Sequence, residues 1–256
     1  MRVLLTNDDG LHSPGLLALA RAMQPAADTF VVAPEHERSA ASHAITLHKP
    51  LRAVRTVFGE TGLAAWATNG TPADCVVLAV LDLLGAPPDV VVSGINAGAN
   101  LGMDLIYSGT VSGAVEATLF GIAAIAVSVA SFKDIHWGPA AAYAAHLAQE
   151  VTRWGLPRDT FLNVNVPNVP AEQIRGVEIT RQSSRRYVSR LEKRADPRGR
   201  DYYWLTGAAE AGTNDPGTDA WAVAEGRISV TPLRLDMTHE ELRPMFRPWN
   251  LKGPFQ

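Results

Sequence analysis

The chain opens with MRVLLTNDDG, residues 1–10, and the change of character at Thr6 decides the fold. Val3, Leu4 and Leu5 form a short apolar run that reads as a strand. Thr6, Asn7, Asp8, Asp9 and Gly10 then crowd polar groups at its end. Ser13-Pro14 follows, an N-cap with proline at the first helical position. Leu16, Leu17, Leu19, Ala20 and Met23 continue as the apolar stripe of a helix. The order is strand, polar loop, helix, and open α/β sheets bind ligands at the carboxyl ends of their strands. Asp8 and Asp9 would repel each other there unless a cation or a shared proton relieved them. A hard divalent ion, Mg²⁺ or Mn²⁺, suits such oxygen ligands. A solvated Asp-Asp-Gly turn is written with the same letters.

The 256 residues, 46% of them apolar, suffice for a large α/β core without staples. A formal charge of −3 argues against nucleic acid as a general partner. Cys75 is the only cysteine and sits in an apolar helical run, which leaves neither a disulfide framework nor a cysteine metal site. The N-terminus lacks the basic flank and long apolar region of a signal peptide, and no run reaches membrane-spanning length. The expectation is a soluble cytoplasmic protein with no membrane partner.

Further along, Thr29 to Ala33 (TFVVA) is a second buried strand, and the loop after it (PEHERSAAS, 34–42) is again polar. Ser39 and Ser42 could donate or ligate there, Arg38 could meet an anion and His36 could do acid–base work; each is also an ordinary loop residue. His43 and His48 have no ligand-like spacing. Residues 51–69 read as short strands around a Gly-rich turn. Thr71-Pro72 opens a helix with Asp74 at its positive end, and Val76, Val77, Val80, Leu81 and Leu84 form its apolar side. Asp89 to Ser93 (DVVVS) is a third buried strand. It runs into SGINAGANLG (93–102), where glycines let backbone approach a ligand and Asn96 and Asn100 supply neutral amides. The spacing G-x-x-x-G-x-x-x-G is not the dinucleotide fingerprint, and no phosphate loop with its Gly-Lys-Ser/Thr signature occurs, which disfavours a nicotinamide dehydrogenase. Ser108, Gly109 and Thr110 then precede a helix over 111–120, a ready anion site of free N–H groups plus the helix dipole, or equally a plain N-cap. Glu116 lies inside that helix.

Ile122–Ala130 is another strand, Ala140–Trp154 an Ala-rich helix and Phe161–Val166 a strand closed by Pro167, with Asn163 and Asn165 in structural positions. Strands alternating with helices predict an α/β fold with a Rossmann-like, doubly wound, mostly parallel sheet over 1–176. Composition shifts in the rest of the chain, 177–256, which we group with that core as one domain. Arg181–Arg200 carries seven Arg and one Lys against one Glu and one Asp. It reads as a two-stranded arm turning at Asp196–Gly199, with Tyr202, Tyr203 and Trp204 on the return. An RNA-binding patch is the rival reading. A hairpin arm cannot bury itself, so docking on another subunit is favoured. Thr213–Ala222 is a polar turn into a short helix, Ile228–Leu233 a returning strand, Thr238 with Glu241 a capping box, and 248–256 an irregular tail.

Four stretches in this order resemble the survival protein E family, the stationary-phase survival 5′/3′-nucleotidases. They are TNDDG at 6–10, RSAAS at 38–42, SGINAGANLG at 93–102 and YSGTVSGAVEA at 107–117; residues 213–233 match the family's later block. In many relatives the fourth stretch begins YSGTVGAA, whereas here Ser112 intervenes between Val111 and Gly113. The resemblance implies a Rossmann-like core, one divalent metal ion (Mg²⁺ or Mn²⁺) per subunit, and a homodimer or homotetramer built with C-terminal arms. It also implies hydrolysis of nucleoside 5′- and 3′-monophosphates. By the same resemblance the metal ligands are Asp8, Asp9, Ser39 and Asn96. The two aspartates are the catalytic candidates, and Asn100, Ser108, Gly109 and Thr110 are the expected phosphate-binding set. Attack on phosphorus by water, in line with the leaving group, is the expected chemistry, with the base left open. An aspartyl-phosphate at Asp8 is the weaker variant, since the carboxylates are adjacent rather than spaced Asp-x-Asp. The alternative from another class is a non-catalytic regulator that binds nucleotide or metal in the same pocket.

Overall fold

The computed structural model describes residues 1–210, 215–249 and 251. Its first strand, β1 (Arg2–Thr6), is followed by α1 (Pro14–Met23), with Ser13 accepting from the Leu16 N–H as N-cap. Next come β2 (Asp28–Pro34) and a hairpin of β3 (Ala53–Phe58) and β4 (Leu63–Thr68). α2 (Pro72–Leu78), β5 (Val90–Ala97), α3 (Gly109–Leu119) and β6 (Ala123–Val129) follow. α4 (Trp137–Trp154) and β7 (Thr160–Val166) complete the alternation.

A nine-stranded sheet has the order β3-β4-β2-β1-β5-β6-β7-β11-β8, with β8 (Val177–Ile179) and β11 (Ile228–Arg234) at the far edge. From β4 to β7 every pairing is parallel; β3 and β11 run antiparallel to their inner neighbours. The central six strands have the doubly wound order, and the winding reverses between β1 and β5. The sequence-based fold class therefore matches the mixed, mostly parallel sheet.

Strand alternation divides the core between two layers. Val3, Leu5, Val31, Val90 and Val92 pack against α1 and α4, whereas Leu4, Val32 and Val91 pack against α2 and α3. Both faces of β1 are covered, which is why its letters run apolar without a polar partner between them. Each fully buried Val or Leu contributes about 1.5–3 kcal/mol.

Two expectations need correction, and one element was not anticipated. The apolar side of the second helix is not a regular stripe. α2 gives way to a π-helical turn over 79–83, so Cys75, Val76, Ala79 and Leu84 are buried while Leu81 is exposed. Thr238 and Glu241 form no capping box: residues Glu240–Phe246 are 3₁₀ turns around Pro244, which cannot continue an α-helix, and Asp236 accepts the Thr238 N–H instead. Edge strand β8 carries no signal in the sequence, being three residues long. The hairpin arm is present as β9 (Arg186–Ala195) and β10 (Asp201–Glu210), turning where Asp196 accepts from the Arg198 and Arg200 N–H groups. A short helix, α5 (Asp219–Ala224), precedes β11. Thr213, Asn214 and most of the expected tail lie outside the described residues.

Candidate active site

The polar loops of β1 and β5 meet where the sheet's winding reverses, and α3 begins beside them. Asn7, fully buried, ties the first loop to the start of α1 through its Nδ2, which donates to the Gly10 carbonyl (3.0 Å) and to Ser13 Oγ (2.7 Å). Asp8 is thereby turned toward α3 and Asp9 toward the loop after β5. The Thr110 hydroxyl donates to Asp8 Oδ1. A Cβ on Gly109 would stand 2.8 Å from both Cβ and Oδ2 of Asp8, so only glycine lets the carboxylate lie against the helix N-terminus. Asp9 Oδ2 accepts the Ala97 N–H at 3.3 Å.

The two neighbouring carboxyls sit where burial works against their charge. Burial raises the Asp8 carboxyl above its ordinary range despite the Thr110 bonds that oppose it. Burial, then the neighbouring charge of Asp8, pushes Asp9 up to about 6. Glu37 adds negative charge to both.

The remaining sequence-predicted residues divide. Asn96 lies at the end of β5 beside Ala97, and its Nδ2 is spent on the Gly98 carbonyl at 2.7 Å, which leaves its Oδ1 as an acceptor. Ser39 is exposed on the loop after β2, with its hydroxyl donating to Glu37 Oε1 at 2.6 Å. The preceding Arg38 N–H donates to the Asp8 carbonyl at 2.7 Å, which holds that loop over β1. Ser108 is the N-cap of α3 and accepts the Val111 N–H. Asn100 is engaged on the β6–β7 side: its Nδ2 donates to Ser128 Oγ (2.8 Å), and its carbonyl accepts from Asn163 and Asn165 (3.0 Å each).

Those last contacts expose supports that the sequence reading left as merely structural. Asn163 and Asn165 share one face of a buried strand, and buried amides need partners. That requirement was the available signal. Asp219 is a second support. Fully buried at the start of α5, it accepts the Gly102 and Ser183 N–H groups and so anchors the far end of the 93–102 loop. A third is Glu116, which lies in α3 and meets His43 Nε2 at 2.7 Å. With Ser42 donating to the Ile106 carbonyl, this contact straps the segment after Ser39 onto the helix.

All donors at the site are oxygens. Among the described residues no group of three His, Cys, Asp or Glu side chains gathers to hold a metal. The residues the sequence nominates as ligands would bring two carboxylates, an amide oxygen and a hydroxyl, a donor chemistry that fits a hard divalent ion keeping part of its water shell.

The survival protein SurE family model matches residues 3–189. The chain belongs to the SurE family. Among SurE relatives, the 5′-nucleotidase SurE of Geobacter sulfurreducens is 52% identical over 254 residues, covering 99% of this chain and 95% of its own length. That of Heliobacterium modesticaldum is 49% identical over 249 residues, covering 97% and 92%. The crystal structure of the SurE protein from Aquifex aeolicus superposes with a TM-score of 0.82 at 42% identity, covering 96% of this chain and 98% of that one. The family assignment from the four motif stretches is therefore correct.

Proposed function

We propose that this chain is a 5′-nucleotidase, a phosphomonoesterase dependent on a divalent metal ion that releases phosphate from nucleoside monophosphates. One observation carries the reading: the Asp8 carboxylate lies against the N-terminus of α3, with Asp9 next to it in the chain and held to the end of β5, at the point where the sheet's winding reverses. A phosphate placed there brings more negative charge against two carboxylates. The helix N-terminus offers only about half a positive charge, which does not balance them. Asp8, Asp9, Ser39 and Asn96 would hold Mg²⁺ or Mn²⁺. When bound, such an ion offsets charge on the phosphate and stabilises the transition state.

The chain's own residues do the rest. The backbone at Ser108, Gly109 and Thr110 holds phosphate oxygens at the helix start. Thr110 also fixes the orientation of Asp8. Asn163, Asn165 and Ser128 keep the Asn100 stretch of the β5 loop in place behind the site. The β9–β10 arm builds a homodimer or homotetramer. The names of the relatives favour turnover over a purely regulatory binding role.

The test is phosphate release from a panel of nucleoside monophosphates with Mg²⁺, Mn²⁺ or EDTA. Wild type is compared with Asp9→Asn and Asn96→Ala. Activity that needs the metal and drops at least a hundredfold in both folded variants supports the reading. Undiminished turnover in both would place the metal elsewhere, and no turnover in wild type would return the regulator.

A further inference from the structure

We propose that His43 and Glu116 are positioning residues for the metal centre: their contact fixes the span that carries Ser39 and so sets how tightly the divalent ion is held. The inference rests on the reading above, which places Ser39 among the ligands. It adds two residues that act on the ion only through another side chain.

Residues 35–52 contain no strand or helix, so contacts with neighbouring elements set their course. At one end of the Ser39 span, the Arg38 N–H donates to the Asp8 carbonyl at 2.7 Å and ties the span to the loop of β1. At the other end, Ser42 is tied to the segment just before α3. Its N–H donates to the Tyr107 carbonyl (3.2 Å) and its hydroxyl to the Ile106 carbonyl (2.7 Å). His43 then reaches α3 itself, with Nε2 2.7 Å from Glu116 Oε2. Ser39 is therefore suspended between the aspartate loop and the helix whose start lies against Asp8.

The suspended span is not relaxed. Ala40 (φ 56°) and Ser42 (φ 53°) both have left-handed backbones. Residues with a Cβ adopt that conformation at a cost and keep it only where their surroundings hold them. Both lie between Ser39 and His43. Glu116 is a firm anchor for the far end: it is buried on α3, and a buried carboxyl group needs a hydrogen-bond partner. His43 supplies one. A carboxylate only accepts, so the Nε2–H donates. The His43 side chain is 34% exposed, so the core does not require the ring. The pair thus joins a fixed point in the helix to a strained loop, and the nominated ligand lies four residues away. With the contact cut, the left-handed residues relax and Ser39 moves out of reach of the ion.

The experiment is a double-mutant cycle on Mn²⁺ affinity, read by calorimetric titration of the full chain without substrate. Ser39→Ala and His43→Ala should each weaken binding about tenfold, the lower end of what the outer partners of metal ligands typically contribute. If His43 acts through Ser39, the double variant should bind within threefold of either single variant, whereas independent effects would multiply to about a hundredfold. A merely structural role lowers stability but does not produce that coupling. His43→Gln, which places an amide donor near the position of Nε2, should return affinity to within about threefold of wild type. Glu116→Gln keeps the shape of the buried side chain and replaces His43→Ala in the cycle should that variant not fold. Multiplicative losses, or wild-type affinity in His43→Ala, would overturn the positioning role while the metal site stands. Wild-type affinity in Ser39→Ala would remove Ser39 from the ligands and the proposal with it. A wild type that neither binds Mn²⁺ nor releases phosphate would bring down the phosphomonoesterase reading itself.

Discussion

Asp8 and Asp9 are adjacent in sequence yet are treated differently by the fold. Asp8 is packed under α3 and held by Thr110; Asp9 sits in the mouth of a cavity and is limited chiefly by burial and by its neighbour's charge. The Asp9 pKa of about 6 lies above the ordinary carboxylate value. A carboxyl raised on folding gives its full stabilisation below the unfolded pKa and loses it as pH rises through the folded one. In EDTA-treated wild type, Tm measured against Asp9→Asn should therefore decline between about pH 4 and pH 6 and level off above. Addition of Mn²⁺ at pH 7.5 should raise wild-type Tm and leave the variant nearly unmoved, because only the folded site binds the ion. A wild-type Tm that tracks the variant across this range would show that the pair carries no such strain. Thr110→Val tests the other carboxylate. It removes the hydroxyl donor at nearly constant volume and leaves a buried oxygen short of a partner, which costs about 1–3 kcal/mol. Urea unfolding should register that loss, and Thr110→Ser should recover most of it.

At the scale of elements, the site is two loops and one helix start held by contacts from distant parts of the chain. Asp219 is the most distant of these, 117 residues from the Gly102 whose N–H it accepts. Asp219→Ala would leave the Gly102 and Ser183 N–H groups without an acceptor. The expected loss is about 2–4 kcal/mol in urea unfolding, with a larger fall in nucleotidase activity than Thr110→Ser shows. This is also where sequence reading stops. The strands β1, β2, β5, β6 and β7 were legible because each is a bounded apolar run, and α1 and α3 because Ser13 and Ser108 cap them. Asp8, Asp9 and the Ser108–Thr110 segment stand out in the sequence as candidates because polar letters there interrupt apolar ones at strand and helix ends. The Asn163–Asn165 clamp, the His43–Glu116 strap and the Asp219 anchor were not, because each is defined by a partner 60 or more residues away. No local pattern encodes that distance. The π-helical turn after α2 was missed for a related reason: packing of Ala79 and Leu84 on the sheet, not helical periodicity, sets its register.

At the scale of the whole molecule, the β9–β10 ribbon stands apart from the sheet that organises everything else. It forms its own two-stranded sheet, and ten residue pairs join its strands. A lone hairpin is marginal in water. This one also exposes apolar groups on both faces. Leu191 lies opposite Leu205, and Tyr203 shares their face; Tyr202 and Trp204 lie on the other, and all five are exposed. Internal ion pairs such as Lys193–Asp201 and Arg194–Glu192 already engage part of its basic charge, which weakens the case for nucleic acid as its partner. Burying Leu191, Leu205 and the aromatic rings against a second copy of the chain would remove that apolar surface from water. Stable interfaces typically cover about 800 Å² on each partner, within reach of a ten-residue ribbon gripped on both sides. Sedimentation equilibrium should then find wild type as a dimer or tetramer at micromolar concentration. Leu205→Asp and Trp204→Asp, which put charge on opposite faces, should each shift it toward monomer by at least a tenfold change in dissociation constant. A wild-type monomer, or variants that assemble as well as wild type, would mean that the ribbon serves something other than self-association. The experiment also bears on catalysis, because β9 leaves the core at Arg185, whose carbonyl accepts the Met103 N–H just beyond the β5 loop. Loss of assembly should therefore lower activity through that loop even though no substituted residue touches the site.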